Sequence, residues 1–526
     1  MHITVKRAFS ILLIPALFFA VPALAQSAYT QSGGTATKTG ETYSTTTADE
    51  SAVKVTNAGT LTMTNCTVTK SGNSSSGDNS SFYGLNAGVL AYNATINITG
   101  GTVTTSGTGA NGIFAYGSSG TATISGVKVV CTAQLGHAVM CAGGGTLHIS
   151  NMDYSTAGKN SAPLATDRGG GTIIASGGTA TSTGADSPGI YSTGTVTVSD
   201  ATLSASNSEA AVIEGLNTVT LTNVNLTSGT NNYGGALIVQ TMSGDSETGT
   251  STFSMTGGSF TVPVNSLFFV TNNSANITLK GVTLNITSGI LIKAGGTSRW
   301  GTSGSNGGKV TFTADSQTMS GTIIIDSLST FAGTFKNSSA YTGAINTSNK
   351  AVTATLSMDA TSTWTLTANS YLSSISNSAG ISGSTVTNIT GNGYNVYYNS
   401  SLSANSYLNA GTYSLVNGGY LLPTGSSAPT AVEDKTTLPA EWSLGQNYPN
   451  PFNPTTVITY KVPVSGHVAL QVFDMLGREV ETLVNDVMAA GTYTVTFNAG
   501  NLASGVYLYR ISGNNFSLCR KMNLMK

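Results

Sequence analysis

Through the middle of the chain, apolar residues alternate with small polar ones. Thr195-Val196-Thr197-Val198 and Ala201-Thr202-Leu203-Ser204 are two examples. That is the period of a strand with one buried face. Two apolar columns repeat along the chain. The first holds Met63, Ile98, Ile124, Ile149, Ile174, Val198, Leu221, Met255 and Leu279, at intervals of 23 to 26 residues with two of 34 and 35. The second holds Val89, Ile113, Val139, Leu164, Ile190, Val212 and Leu237, at intervals of 22 to 26. A shared period near 25 leaves room for about three short strands per unit. Positions 100, 126, 151, 200 and 223, shortly after members of the first column, carry Gly, Asn or Asp. These residues tolerate the positive φ of a tight corner.

Three-strand units with such corners resemble the rungs of a right-handed parallel β-helix. The expected fold class is therefore all-β, with a solenoid over residues 26–423 that becomes less regular from about 301. At about 4.8 Å per rung, ten to fifteen rungs would make a rod of roughly 50 to 70 Å. The two long intervals predict inserted loops near Ser71–Asn79 and Ser243–Thr250, where function is often carried. Tyr394, Tyr397, Tyr398, Tyr407, Tyr413 and Tyr420 are read as closing the open end of the rod, with a sugar-binding platform as the alternative. Residues 424–437 read as a linker.

From residue 438 the pattern changes. Asn447-Tyr448-Pro449-Asn450-Pro451-Phe452-Asn453-Pro454 opens this segment and Lys521 to Lys526 closes it. Asp474-Met475-Leu476-Gly477-Arg478 and Gly505-Val506-Tyr507 lie between. The prolines cannot donate ladder hydrogen bonds and stiffen the lead-in. Val457, Tyr460 and Val462, then Val468, Leu470 and Val472, then Tyr493, Val495 and Phe497 read as strands of a small Ig-like β-sandwich. The four motifs, in this order, resemble the C-terminal sorting domain of the type IX secretion system. The resemblance implies recognition by that machinery and export across an outer membrane. It also implies removal of the tail, often with attachment of the remainder to surface lipopolysaccharide. Cys519 departs from the pattern.

The other end agrees with export. Lys6 and Arg7 precede an apolar run from Ile11 to Ala20 and then Ala23-Leu24-Ala25, so residues 1–25 read as a signal peptide and the route passes through the periplasm. No other segment is long and apolar enough to span a bilayer.

Composition narrows the chemistry. Charged residues are 8% of the chain and the formal net charge is −1, which excludes the basic footprint of a nucleic-acid binder. The 4 cysteines do not make a disulfide framework, although Cys131 and Cys141 are either a pair or two buried thiols. The regular pattern of its 39% hydrophobic residues argues against disorder.

Glycan-active β-helices need clustered carboxylates. The candidates are Asp167 beside Arg168, Asp186, Glu209 and Glu214, with Asp153 as a further acid opposite Lys128 on the adjacent rung. No metal set is expected of His137 and His148, and Ca²⁺ between stacked carboxylates is the one cofactor considered. Thr121/Thr123, Thr195/Thr197 and Thr218/Thr220 make outward Thr pairs that His148 and Ile173 interrupt. The resulting expectation is an exported, surface-attached, adhesin-like or structural β-helix that binds glycans or surfaces. The alternative is a polysaccharide lyase or glycoside hydrolase on the same scaffold, with ice binding as a minor one. Convergence of the acids in a groove would favour the enzyme, and scatter the binding module.

Overall fold

The computed structural model describes residues 28–241, 243–428, 441–513 and 516–526. The signal peptide read at residues 1–25, and all of the linker beyond residue 428, lie outside the described residues. Two compact units divide between residues 428 and 429.

The first unit is a parallel β-solenoid of about 16 turns, slightly more than the ten to fifteen expected. Its first sheet has 12 strands, from Tyr29–Ser32 to Thr322–Ile325. A second, of 22 strands, takes the other two strands of each turn, and Gly145–Thr156 and Gly171–Ser182 run through the corner without a break. Each turn repeats the same inward positions, so like stacks on like. Leu61, Ile96, Ala122, Leu147, Ile173, Val196, Val219, Phe253 and Ile277 form one continuous ladder, and every member is buried. Phe253, Phe260 and Phe268 fill the interior together, with ring centroids 5.0 to 6.1 Å apart. That is the spacing of favourable aromatic pairs.

The corners follow from residue type. Asn65, Gly100, Gly126, Asn151, Asp200 and Asn223 all have φ between 50 and 61°. At Gly100 a Cβ would sit 2.2 Å from Oδ1 of Asn65 one rung below, so a larger residue there requires that side chain to move.

Both apolar columns need correction at particular members. Ile174 pairs with His148 and Thr197 on the outer face and is 45% exposed, while Ala175 takes the inward place between Ile149 and Val198. Ile174, not Ile173, therefore breaks the outward Thr pairs. Val212 and Leu237 also face outward. The inward ladder runs Ile190, Ala211, Ala236. Alanines gave that ladder a weak signature, and the larger neighbours attracted the assignment.

Beyond residue 301 the stacking continues in a third sheet of nine strands, which ends in an antiparallel hairpin of Tyr413–Val416 and Tyr420–Pro423. Tyr398 is buried there and donates to the Gly411 carbonyl at 2.7 Å. Tyr407 donates to that of Ile375 at 2.8 Å. These tyrosines spend their hydroxyls on backbone, and the hairpin interrupts the parallel edge.

In the second unit, a three-stranded antiparallel sheet (Ser443–Leu444, Thr455–Val462, Gly491–Asn498) faces a four-stranded one (Glu479–Met488, Gly466–Phe473, Gly505–Gly513, Phe516–Leu524). Ile458, Tyr460, Val462, Val468, Leu470, Val472, Phe497 and Tyr509 make its core. Val457 points out and Ile458 in, one step from the expected phase.

Candidate functional site

The outer face of the first sheet is unusual, because it too is apolar. Leu90, Phe114, Met140, Ala165, Val212, Leu237 and Phe269 project from it and are buried. Insertions cover them. The first contains a short helix, α1 (Gly77–Tyr83), capped by Ser76 and ended by Gly84 at φ 72°. The second includes residues 243–249, and a third over 295–307 brings in Trp300. The sequence repeat located the first two, whereas the third lay where the period blurs.

Between the insertions lie two adjoining cavities, of about 230 and 200 Å³, which share Asn160, Asp186, Pro188 and Tyr191. Asp167 and His137 line the first; Glu209, Glu214, Tyr233, Arg299 and Trp300 line the second. Four of the five candidate carboxylates thus meet on one face. Asp153 does not: it forms an exposed ion pair with Lys128 at 3.3 Å on the second sheet. Lys128→Ala is expected to shift unfolding by less than about 1 kcal/mol, because both groups are solvated. A chemical denaturation curve checks this.

Asp167 follows the strand Leu164–Thr166 and is only 8% exposed. One carboxylate oxygen accepts the backbone N–H of Arg168 at 2.8 Å, and the other has no hydrogen-bond partner among the described residues. Burial, together with the nearby Asp245 and Glu214 charges, pushes its pKa up to about 7. Glu214 ends the strand Ala211–Glu214 and accepts two hydroxyls, from Tyr191 at 3.1 Å and from Thr241 at 2.8 Å. Burial raises it above the ordinary range, and these hydrogen bonds oppose the rise. Glu209 is likewise raised by burial and accepts the Ser208 hydroxyl at 2.8 Å. Asp186 is exposed, with its carboxylate 3.4 Å from Lys159. Glu209, by contrast, is buried.

His137 is buried under the same face. Its Nδ1 accepts the Ala162 N–H at 3.0 Å, and burial holds its pKa down at about 4, so the ring is neutral. Arg168 joins two insertions: its guanidinium lies 4.0 Å over the Phe82 ring of α1 and 2.8 Å from Asp245. Tyr233 stacks on Phe269 and contacts Trp300 at 4.9 Å, with Arg299 over the Trp300 ring at 4.7 Å. Tyr233, Trp300, Arg299 and Asp245 were missed from sequence, since only the fold returns insertions from distant rungs to one place.

A larger cavity of about 530 Å³ lies on the other side of α1, beside Asp49, Glu50 and Lys54. Its carboxylates are already used: Asp49 accepts from the Ser75 N–H at 2.7 Å, and Glu50 from the Thr45 hydroxyl. It offers no desolvated acid. Among the described residues no three His, Cys, Asp or Glu side chains converge as a metal cage. Cys131 and Cys141 are separate buried thiols, and burial pushes Cys131 up to about 12. On the second sheet a Thr column runs through Thr95, Thr121, Thr146, Thr172, Thr195 and Thr218. Asn97, His148 and Ile174 break the column beside it, so the outward hydroxyl array is not regular.

In the C-terminal unit the motif residues hold one another. The Asn447 N–H donates to the Tyr509 hydroxyl at 2.9 Å, and that hydroxyl donates to the Gly445 carbonyl at 2.8 Å. The Asn447 side chain donates to the Pro449 carbonyl and to Thr456. Phe452 is buried and bridges Leu524. Asp474 caps its own turn through the N–H groups of Leu476 and Arg478 and pairs with the Arg478 guanidinium at 2.7 Å, while Gly477 supplies φ 80°. Tyr507 donates to the Ala503 carbonyl, and Lys526 to that of Gly500. Tyr448, by contrast, is 81% exposed.

Residues 446–524 match the family described as the secretion system C-terminal sorting domain. No curated protein matches the chain. No solved structure matches it either.

Proposed function

We propose that the solenoid is an exported glycan-binding protein whose binding site is the groove on the outer face of the first sheet. The observation that carries this reading is the meeting of half-buried aromatic rings with desolvated carboxylates in one concave place. Ligand sites are concave and mostly apolar, with a few converging polar groups. Sugar rings present apolar C–H faces that lie on Tyr233 and Tyr191, and hydroxyls that donate to carboxylates. Asp186, Glu209 and Glu214, joined by Asp167 above its raised pKa, outnumber Arg299 in the lining of the cavities. A polyanion such as a uronan would be repelled, so the groove suits neutral glycans and does not suit the substrate of a uronate lyase.

Export itself is indicated by the sorting domain, which implies engagement with the type IX machinery and a surface or secreted location. Our reading adds that removal of the tail in the 424–437 segment leaves the solenoid on surface lipopolysaccharide. Many copies on one cell would then turn a modest groove affinity into adhesin-like avidity.

Native gels cast with soluble neutral polysaccharides test the groove. The full chain is expected to be retarded by at least one neutral polymer and not by polygalacturonate. Tyr233→Ala should weaken retardation about tenfold, the scale of one ring contact near 1.4 kcal/mol. Retardation by polygalacturonate alone, or retardation indifferent to Tyr233, would sink the proposal.

A further inference from the structure

We propose that the groove hydrolyses the neutral glycans it binds, with Asp167 as proton donor and Glu214 as base. The inference rests on the binding reading above and names a reaction for the same site. It begins with register. Ala165 pairs with Tyr191, and Tyr191 with Val212. Glu214 ends its strand and Asp167 stands one residue past the end of its own, each two residues beyond Val212 and Ala165, and they line the two adjoining cavities that share Tyr191. Two strand spacings separate their backbones by about 9.6 Å, just above the inverting range of carboxyl separations and well above the retaining one. Carboxyl pairs about 6.5 to 9.5 Å apart leave room for a water beside the sugar and act with inversion, whereas retaining pairs stand near 5 Å.

The two acids also have different surroundings, as an acid and a base must. Asp167 is more than nine-tenths buried, and one of its oxygens has no partner among the described residues although the residue lines the first cavity. Such an oxygen can carry a proton and give it up to a ligand. Both oxygens of Glu214 accept hydroxyl donors, which oppose the rise that burial imposes on it and which Asp167 lacks. Tyr191, whose ring lies on the strand between them, donates to Glu214 and supplies an apolar surface for the sugar. The raised pKa of Asp167, near 7, agrees with a donor still protonated in mildly acidic and neutral surroundings.

The step balances with water as the one co-reactant. Asp167 gives its proton to the glycosidic oxygen as the C–O bond to the anomeric carbon breaks and the bonding electrons stay on that oxygen. A water oxygen attacks the opposite face of the anomeric carbon, and its proton passes to Glu214. The products are one alcohol and one hemiacetal of inverted configuration. Exchange with solvent returns the proton from Glu214 to Asp167.

The test uses the full chain on xylan, galactomannan and mixed-linkage β-glucan, with polygalacturonate as the anionic comparison. Gel retardation, new reducing ends and the anomeric configuration of the first product by NMR are read together. Asp167→Asn and Glu214→Gln should each keep retardation and lower reducing-end release by on the order of 10² to 10⁴, the contribution of a positioned acid or base. Asp153→Asn, on another face, should leave release unchanged. Release by the parent should decline as pH rises through about 7, because the donor is lost. Retardation without release by the parent overturns hydrolysis and leaves binding standing. Neither retardation nor release overturns both. Unsaturated products, a retained configuration, or full activity in the two groove variants also overturns this assignment. Circular dichroism and thermal unfolding of both variants separate lost chemistry from lost fold.

Discussion

Protein carrying Asp167→Asn is expected to be more stable than the parent at pH 8 and indistinguishable from it at pH 4. The cause is the burial that raises the Asp167 pKa from its ordinary value to about 7. A raised carboxyl pKa means that the folded state holds the proton more tightly than the unfolded chain does. At pH 4 the side chain is protonated in the folded state, and little is lost. As pH rises from about 4 the unfolded chain ionises freely while the folded chain resists, so stability falls through this window. It levels off once pH passes the folded value near 7. The loss is on the order of a few kcal/mol, since one pKa unit corresponds to about 1.4 kcal/mol. Asparagine keeps the shape and cannot ionise, so it removes the pH-dependent part. Glu214 and Glu209 are raised in the same direction and leave a residual slope in the variant. Urea denaturation at pH 4, 6 and 8 reads the difference. Equal midpoints for the two proteins at pH 8 would show that Asp167 is not held at a cost. A stability gain there, paired with loss of sugar chemistry, is the trade expected of a working acid and not of a structural one.

Residues with a strong side-chain signature were legible from the sequence, and residues defined by their neighbours were not. The corners were readable because positive φ selects Gly, Asn and Asp at 100, 126, 151, 200 and 223. The inward ladder was readable where it uses Leu, Ile and Val, and it slipped by one residue where Ala175, Ala211 and Ala236 fill it. That slip had a functional consequence. Val212 and Leu237 were counted as core, which hid the second apolar surface on the outside of the first sheet. An apolar residue on both faces of one strand, as in Ala236–Val239, is a signal that something covers the outer face, and period-two alternation alone cannot report it.

The site was half legible. Asp167, Asp186, Glu209 and Glu214 stood out because acids are scarce in this chain. Their meeting place follows from the 21- to 26-residue offsets that put successive strands side by side. The walls were not legible. Trp300 and Arg299 come from an insertion in the region where the repeat blurs, and Asp245 approaches Arg168 across 77 residues of sequence. Solenoids build sites from several rungs, so a reading that scans for local motifs finds the acids and misses the rings.

Removal of residues 441–526 is expected to abolish appearance of the protein at the cell surface or in the medium, and this is the largest effect anticipated for any change in the chain. The more informative variant leaves every motif residue in place. Leu470 is fully buried between strands that pair with it on both sides. Leu470→Asp puts an unpaired charge into the core of a unit too small to absorb it, which costs several kcal/mol and unfolds the sandwich. If the machinery engages a folded surface, this variant fails to export as completely as the truncation does. Tyr509→Phe is the graded case. It deletes the hydroxyl that accepts from Asn447 and donates to Gly445, leaving two buried backbone groups without that partner at about 1 to 3 kcal/mol. Partial loss of export, restored at lower temperature, is the expected result. Fractionation with an antibody against the solenoid measures all three. Normal export of Leu470→Asp would mean that the signal is read as an extended peptide, and the hydrogen bonds from the opening motif to Tyr509 would then belong to the domain's stability and not to its recognition.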